Sequence, residues 1–218
     1  REEERRVLAE LSAAVAEQND AIALLMAVLL KLDLALARGR YGQWLGAVPP
    51  RLEAQADAPF QILELRHPLL VWQQRKEGGA PVVPVSVEVS EQLRVVAITG
   101  PNTGGKTVTL KSIGLAALMA RAGMWLPCNG SPSLPWCAQV LADIGDEQSL
   151  QQSLSTFSGH VKRIGSILQS IASGPSPALV LLDEVGAGTD PSEGTALAIA
   201  LLRNLANCAR LTIATTHF

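Results

Sequence analysis

The sequence predicts an α/β protein in which a mixed, mostly parallel β-sheet is flanked by helices and preceded by an N-terminal helical segment. Apolar runs typical of strands buried on both faces of a sheet occur at residues 93–99, 178–182 and 211–215. Apolar residues spaced three or four positions apart, typical of helices, occur at residues 108–121, 161–171 and 192–206. The 218 residues are 48% hydrophobic and 17% charged, which suits a well-filled core of this class.

The N-terminal segment, residues 1–38, predicts one long helix, or two helices with a break near Asn19 and Asp20. Its apolar residues recur at steps of three and four, and the charges at its start are interpreted as a solvated face. Residues 38–42 are expected to end the helix, and a proline-containing loop follows at residues 46–59. We therefore predict a helical segment at residues 1–58 and an α/β domain at residues 59–218.

Residues 60–98 predict a small β layer that leads into the first buried strand. This layer holds a short strand at residues 63–68 and an alternating, half-buried strand at residues 82–89. Farther along the chain we predict a turn-rich segment, a strand and a polar loop, at residues 123–135, 137–142 and 143–149.

The loop between the first buried strand and the next helix has a specific pattern. Its residues are Gly100, Pro101, Asn102, Thr103, Gly104, Gly105, Lys106 and Thr107. They spell G-x-x-x-x-G-K-T, the phosphate-binding loop of nucleotide triphosphatases, in which the lysine reaches the β- and γ-phosphates and the threonine ligates Mg²⁺. Backbone N–H groups freed by the glycines, together with the helix dipole, attract anions at this position. A chance match in a glycine-rich turn is expected in roughly 1% of chains of this length.

The apolar run at residues 178–182 ends in Asp183 and Glu184. Ligands bind at the carboxyl ends of strands in an open α/β sheet. Asp183 is placed there to hold Mg²⁺ through water, and Glu184 to orient or deprotonate an attacking water. A surface pair that caps a strand is the alternative. His217 follows the run at residues 211–215 and is interpreted as a γ-phosphate sensor beside the same crevice, with an ordinary packed histidine as the alternative.

Composition narrows the class of protein further. A formal net charge of −2 gives no indication of nucleic-acid binding by bulk electrostatics. The three cysteines, Cys128, Cys137 and Cys208, fit free thiols in a reducing cytosol better than a disulfide framework. We find no secretory signal pattern, and the longest apolar stretch, residues 21–30, is far too short to span a membrane. These features favour a cytoplasmic protein without a membrane partner.

The order of these motifs resembles that of ABC-type P-loop NTPases and, among them, the MutS family. The resemblance is closest to the second bacterial MutS type, the branch usually linked to recombination suppression rather than mismatch repair. It is carried by the motifs RHPL, ITGPNTGGKTVTL, DIGDEQ, QSLSTFS, DE, GAGTDP and ATTH, at residues 66–69, 98–110, 143–148, 152–158, 183–184, 186–191 and 214–217. Mismatch-repair members usually have Met-Gly-Gly-Lys-Ser in the loop, whereas Thr-Gly-Gly-Lys-Thr stands here.

The resemblance implies a role for each matching residue. Residues 100–107 would bind the phosphates of ATP, Thr107 and Asp183 would hold Mg²⁺, and Glu184 would be the general base, with His217 as the switch. By the same resemblance, Val83 (or Pro84) would contact the adenine, and Gln148 would lie near the γ-phosphate. Ser153, Ser155 and Thr156 would meet the ATP of a partner subunit. Asp190 would lie at the subunit boundary.

The resemblance also implies a homodimer that sandwiches two ATP molecules and opens after hydrolysis to ADP. Two purposes stay open at this point. The full protein is either an ATP-gated clamp on branched or recombining DNA, or a factor that splits stalled, collided ribosomes. Because the chain begins in helical register and stops after a core strand, we expect a fragment of a longer protein. The remaining ATPase helices, the DNA-contacting parts and any C-terminal nuclease domain would then lie outside it.

Overall fold

A computed structural model describes residues 1–100, 105–145 and 153–217, with the backbone alone for residues 153–156. Its contacts divide the chain into two compact units, Arg1–Tyr41 and Gly42–Phe218. This division precedes the boundary predicted at residue 58. The assignment of the two units to domains of a larger protein stays a prediction.

The first unit consists of two helices, α1 (Glu2–Glu17) and most of α2 (Asn19–Leu45), which part at Gln18. The structure thus selects the two-helix alternative. No residue of α1 is buried. The large exposed apolar side chains of these helices are Val7, Leu8, Leu11, Val15, Ile22, Leu24, Leu25, Met26, Val28, Leu29, Leu30, Leu32, Leu34 and Leu36. So many exposed apolar side chains are typical of helices that contact other protein groups.

The predicted helix end at residues 38–42 is wrong, because α2 continues to Leu45. Gly42 lies inside the helix, where its lack of a side chain permits close packing against Trp125. A β-carbon placed on Gly42 would lie 3.2 Å from the ring of Trp125. The helix ends where Gly46 takes a φ of 64°, a left-handed conformation that favours glycine.

The second unit begins with a mixed sheet that the sequence predicts only in part. Its strands are β1 (Arg51–Glu53), β2 (Phe60–Leu65), β3 (Val85–Val89) and β5 (Asn129–Pro135), in the order β1-β5-β2-β3. A helix, α3 (Pro68–Glu77), joins β2 to β3. The structure thereby corrects three predictions: β1 lies in the predicted loop, β5 lies in the predicted turn-rich segment, and the predicted strand at residues 63–68 ends at Leu65. Pairing with β1 and β2 overrides the turn-forming residues of β5, and such tertiary context often outweighs local β propensity.

The remaining strands form a parallel sheet, as predicted. They are β4 (Val95–Thr99), β6 (Gln139–Asp143), β7 (Ala178–Leu182) and β8 (Leu211–Thr216), in the order β4-β8-β7-β6. The helices between them are α4 (Lys106–Arg121), α5 (Ser153–Ser173) and α6 (Pro191–Cys208). Helix α5 begins at Ser153 rather than at the predicted residue 161. Its apolar periodicity starts only at Val161, so the polar first turns give no helical signal.

Helices cover both faces of the parallel sheet. On one face, Val180 and Leu182 of β7 pack in one cluster with Ile167 of α5 and with Leu201 and Leu205 of α6. On the other face, α4 approaches so closely that a β-carbon on Gly114 would lie 2.5 Å from Leu181 Cδ1. Burial on both faces explains why every residue of β7 is apolar.

Arg210 joins the two sheets at the edge where the parallel strands begin. Its exposed fraction is 5%, and its guanidinium donates to the carbonyl oxygens of Leu93 (3.0 Å), Asp57 (3.0 Å), Ala58 (2.8 Å) and Ser90 (3.4 Å). Burial lowers the pKa of this guanidinium because the charged group loses hydration. The carbonyl oxygens replace part of that hydration.

We expect Arg210→Met to lower the free energy of unfolding by about 2–4 kcal/mol, because buried carbonyl groups lose their hydrogen-bond donor. Thermal or urea unfolding of this chain measures the loss. Arg203→Met on the exposed side of α6 is the matched control and should change the stability by less than about 0.5 kcal/mol. Equal stability of the two variants would contradict the proposed role of Arg210.

The three cysteines are free, as predicted. Cys128 and Cys137 are buried, and burial raises the pKa of each thiol to about 11. Among the described residues, no helix is both long and apolar enough to cross a lipid bilayer.

Candidate functional site

The strand order of the parallel sheet brings three predicted residues together. Lys106 follows β4, Glu184 follows β7 and His217 follows β8. Because β8 lies between β4 and β7, the residue after β8 must lie between the residues after its two neighbours. His217 accordingly has Nδ1 3.4 Å from Lys106 Nζ and Nε2 2.8 Å from Glu184 Oε1.

Lys106 is the first residue of α4 and has an exposed fraction of 6%. Its ammonium group donates to the carbonyl oxygen of Gly100, at the end of β4. Gly105 has a φ of 73°, the left-handed conformation that glycine adopts without strain, and its carbonyl accepts from the Thr109 amide at 2.9 Å. These contacts start α4 at Lys106, so the positive end of the helix dipole lies beside this lysine.

Glu184 has a backbone conformation that is rare for a residue with a side chain, with a φ of 50°. Such a conformation costs on the order of 1–3 kcal/mol and persists only where neighbouring contacts impose it. Two contacts to β8 do so, because the Glu184 amide donates to Thr215 Oγ1 at 2.8 Å and the Val185 amide donates to the Thr215 carbonyl at 3.0 Å. The turn directs the Glu184 carboxylate toward His217.

Thr215 links the two carboxylate residues, and sequence reasoning gave it no role. Its hydroxyl is fully buried, donates to Asp183 Oδ1 at 2.5 Å and accepts from the Glu184 amide. Asp183 itself is 6% exposed. A threonine within the apolar strand β8 was the available signal, since most buried hydroxyls have a hydrogen-bond partner.

A second group that sequence reasoning missed lies at the end of β6. Asp143 is 2% exposed, and its Oδ2 lies 2.6 Å from His160 Nδ1, while its Oδ1 accepts from Arg163 Nε. The backbone carbonyl of Asp143 accepts from the Asp183 amide at 2.8 Å. His160 and Arg163 lie three residues apart on α5 and therefore share one helix face, a spacing that could have indicated a common partner.

Val83 is 82% exposed and lines an open cavity of about 580 Å³ beside the start of α4. Gly105, Val108 and Thr109 form the α4 side of this cavity, and α3 contributes Leu70 and Gln74 to it. The cavity is predominantly apolar in its lining and reaches the residue next to Lys106. Its volume falls in the range of small-molecule sites.

The other predicted residues stand as follows. Thr107 is the second residue of α4 and is half-buried. Asp190 caps α6, accepting from the amides of Ser192 (2.9 Å) and Glu193 (3.4 Å), and the hydrogen bonds from the Ser192 hydroxyl and these amides lower its pKa. Pro101, Asn102, Thr103, Gly104 and Gln148 lie outside the described residues, as do the side chains of Ser153, Ser155 and Thr156.

Comparison with known proteins decides the family. The model of MutS domain V matches residues 96–218, more than half of the chain. The chain belongs to the MutS family. It is 56% identical over 99% of its length to "Endonuclease MutS2" of Synechocystis sp. and 47% identical over 98% to that of Pelotomaculum thermopropionicum. The corresponding protein of Shouchella clausii is 45% identical over 98% of the chain.

These relatives confirm that the chain is a MutS2-type member of the MutS family. The matching part covers 28%, 26% and 26% of the three relatives, so the chain spans about a quarter of their length. MutS domain V is the ATPase domain of the family, and its match begins inside β4 and includes the whole Lys106–His217–Glu184 linkage.

The Asp183 carboxylate and the Thr107 hydroxyl of this domain would fit a magnesium ion that is bound together with phosphates. Carboxylates and hydroxyls are hard oxygen ligands of the kind that Mg²⁺ prefers. Among the described residues, no group of three or more histidine, cysteine, aspartate or glutamate side chains could hold a metal by itself.

The turn after Glu184 depends on the absence of a side chain at Gly194. A β-carbon there would lie 2.2 Å from the carbonyl oxygen of Gly186. We expect Gly194→Ala to lower the free energy of unfolding by about 1–3 kcal/mol through overpacking. Gly165→Ala on α5 is the control, because nothing lies within 4 Å of its β-carbon and alanine favours the helix by about 1 kcal/mol. Chemical unfolding of both variants should give shifts of opposite sign, and a stabilised Gly194→Ala protein would contradict the prediction.

Proposed function

We propose that this chain binds and hydrolyses ATP as the ATPase domain of a MutS2-type protein. The observation that carries the proposal is the continuous linkage from Lys106 through His217 to Glu184, directly after a G-x-x-x-x-G-K-T loop. A cationic and a carboxylate side chain thereby meet at the carboxyl ends of three neighbouring parallel strands, the place where α/β proteins bind ligands, and this supports the proposal.

Phosphate binding would fall to residues 100–107. Lys106 supplies the positive charge, and the N-terminus of α4 supplies backbone N–H groups and the helix dipole. When Mg²⁺ is bound, Thr107 and Asp183 would hold it, and it neutralises charge on the phosphates. Thr215 fixes one oxygen of Asp183 and so orients that carboxylate.

Hydrolysis requires that a water molecule lose a proton as it attacks the γ-phosphorus. In this proposal Glu184 accepts that proton, and the P–O bond to ADP breaks as the new P–O bond forms. His217 contacts both Lys106 and Glu184, so it can register whether the γ-phosphate is present. The imposed turn at Glu184 holds the base in one orientation before the substrate arrives.

The cavity beside α4 is proposed to receive the nucleoside, with Val83 along the adenine. Phosphates at Lys106 and a base in this cavity would place ATP across the first turn of α4. We keep the roles implied by the family for Gln148 near the γ-phosphate and metal, and for Ser153, Ser155 and Asp190 toward the partner subunit.

At the level of the whole protein, we propose a cytoplasmic homodimer that closes on DNA when ATP is bound and reopens after hydrolysis. ATP shifts the equilibrium because it makes contacts across the interface in the closed form alone. The relatives carry the name endonuclease, which supports a nucleic-acid substrate. We take branched or recombining DNA as the first candidate partner and the ribosome as the alternative.

The test uses the full-length protein. Phosphate release is measured with MgATP alone, with four-way-junction DNA, and with collided ribosomes, all at one salt concentration. We expect basal turnover with stimulation by the junction. Stimulation by ribosomes instead would overturn the DNA assignment and favour ribosome splitting, while absence of turnover under every condition would overturn the ATPase proposal.

A further inference from the structure

Asp143 is a buried carboxylate that the proposed chemistry does not use. An ionised carboxylate that is 2% exposed is stable only if its charge is compensated. Both of its oxygens are engaged by α5, one by His160 at 2.6 Å and the other by Arg163 Nε. Arg163 Nη2 also lies 3.3 Å from His160 Nδ1, so the three side chains form one cluster.

The cluster lies directly beside the proposed catalytic carboxylates. Asp143 is the partner of Leu182 in the β6–β7 ladder, and its carbonyl accepts from the amide of Asp183. His160, Asp183 and Glu184 line one small cavity at the ends of these strands. Any displacement of α5 from Asp143 therefore occurs within a few ångströms of the site.

The same part of α5 also lies beside the turn after Glu184. A β-carbon placed on Gly188 would lie 3.4 Å from the Phe157 β-carbon, an ordinary van der Waals distance, and Phe157 lines one cavity with Gly186 and Ala187. Helix α5 is thus attached to β6 through His160 and Arg163, and its Phe157 faces the turn after β7. Its first turn, which begins at Ser153, carries the residues proposed to meet the partner's ATP.

We propose that Asp143, His160 and Arg163 are positioning residues that fix the first half of α5 relative to Asp183 and Glu184. ATP turnover then requires this anchor, whereas binding of ATP to one subunit does not, because Lys106 lies on α4 and no residue of α5 lines the nucleoside cavity. This inference rests on the proposed function, since it assigns α5 the alignment of two subunits for hydrolysis.

Three variants of the full-length protein test the proposal. Arg163→Gln removes the charge that compensates Asp143, and His160→Phe keeps a ring while removing its nitrogen atoms. Lys162→Gln removes one positive charge from the neighbouring, exposed position of the same helix and is the matched control. All three are assayed well below the unfolding midpoint of each variant.

We expect Arg163→Gln and His160→Phe to lower kcat by roughly 10- to 100-fold, since small misplacements of reacting groups have effects of this size. Their Kd for a fluorescent ATP analogue should stay within about twofold of the Kd of the unmodified protein, because the substitutions leave the contacts that bind ATP before the reaction unchanged. Lys162→Gln should change neither value. Wild-type kcat in both cluster variants, or a parallel loss of kcat and nucleotide binding, would overturn the proposal.

Amide hydrogen exchange provides a readout that does not depend on activity. We expect faster exchange over residues 157–166 in both cluster variants, with exchange in α6 unchanged, because the anchor acts on α5 alone. Unchanged exchange in α5 would overturn the anchoring role even if the ATPase proposal holds. Conversely, an unmodified protein without turnover would refute the proposed function, and faster exchange confined to α5 would still support the anchor.

Discussion

Glu184→Gln in the full-length protein should lower ATP turnover by about 10²- to 10⁴-fold, the range expected when a general base is removed. MgATP binding should be retained, because glutamine keeps the length and shape of the side chain and can still hydrogen-bond to His217. The imposed turn at Glu184 supports this expectation, since its two contacts to Thr215 are made by backbone amides that the substitution does not change. Steady-state phosphate release and equilibrium nucleotide binding measure the two quantities.

The matched control is Glu88→Gln, an identical chemical change at an exposed position of β3 in the mixed sheet. It should leave both turnover and binding unchanged. Equal turnover in the Glu184→Gln and unmodified proteins would rule out Glu184 as the base. Loss of nucleotide binding together with turnover would instead assign Glu184 to the architecture of the site.

Lys106→Ala should weaken MgATP binding by about 10- to 100-fold, the effect expected from the loss of charge-assisted hydrogen bonds. The Lys106 residue is only 6% exposed, so solvent screens the attraction of its ammonium group for phosphate less than it would at the surface. The substitution also removes the group that contacts His217 Nδ1. We therefore expect the response of His217 to the γ-phosphate to be lost with it.

Calorimetric titration of the unmodified protein, Lys106→Ala and Lys162→Ala with a non-hydrolysable ATP analogue in Mg²⁺ makes the comparison. Lys162 is exposed on α5, so its replacement removes the same charge at a distance from the loop. The affinity of the Lys162→Ala protein should equal that of the unmodified protein. If Lys106→Ala also retains full affinity, nucleotide binding does not proceed through the predicted loop.

The parts of the fold that the sequence predicts are those with a local signal. The run at residues 178–182 is apolar throughout because the strand is buried on both faces, and that requirement is visible in a single segment. The lysine of the loop and the Asp183–Glu184 pair are likewise predicted from patterns only a few residues long. The order of the strand ends could predict that His217 lies near Lys106 and Glu184, although it could not predict the distances between these side chains.

Features that depend on partners distant in the chain were missed. Strand β5 contains two prolines and reads as a turn, yet β1 and β2 hold it in the mixed sheet. Asp143 lies in a predicted polar loop, and only the placement of α5 shows that its carboxylate is buried against His160 and Arg163. Likewise, the dual hydrogen bonding of Thr215 arises from the adjacency of β7 and β8, which the sequence does not encode locally.

The place of β8 also determines when the site can be assembled. This strand is the last of the described strands along the chain but occupies an interior position in the parallel sheet, and no other described strand pairs with β4. During synthesis, β4 and β7 must therefore wait with unpaired facing edges until residues 211–216 leave the ribosomal exit tunnel. Closure of the sheet is a late, high-contact-order event of the kind that folds slowly and exposes strand edges to misassociation. Completion of the sheet and alignment of Lys106, His217 and Glu184 are then a single folding step, so an incompletely folded chain lacks the proposed hydrolytic site.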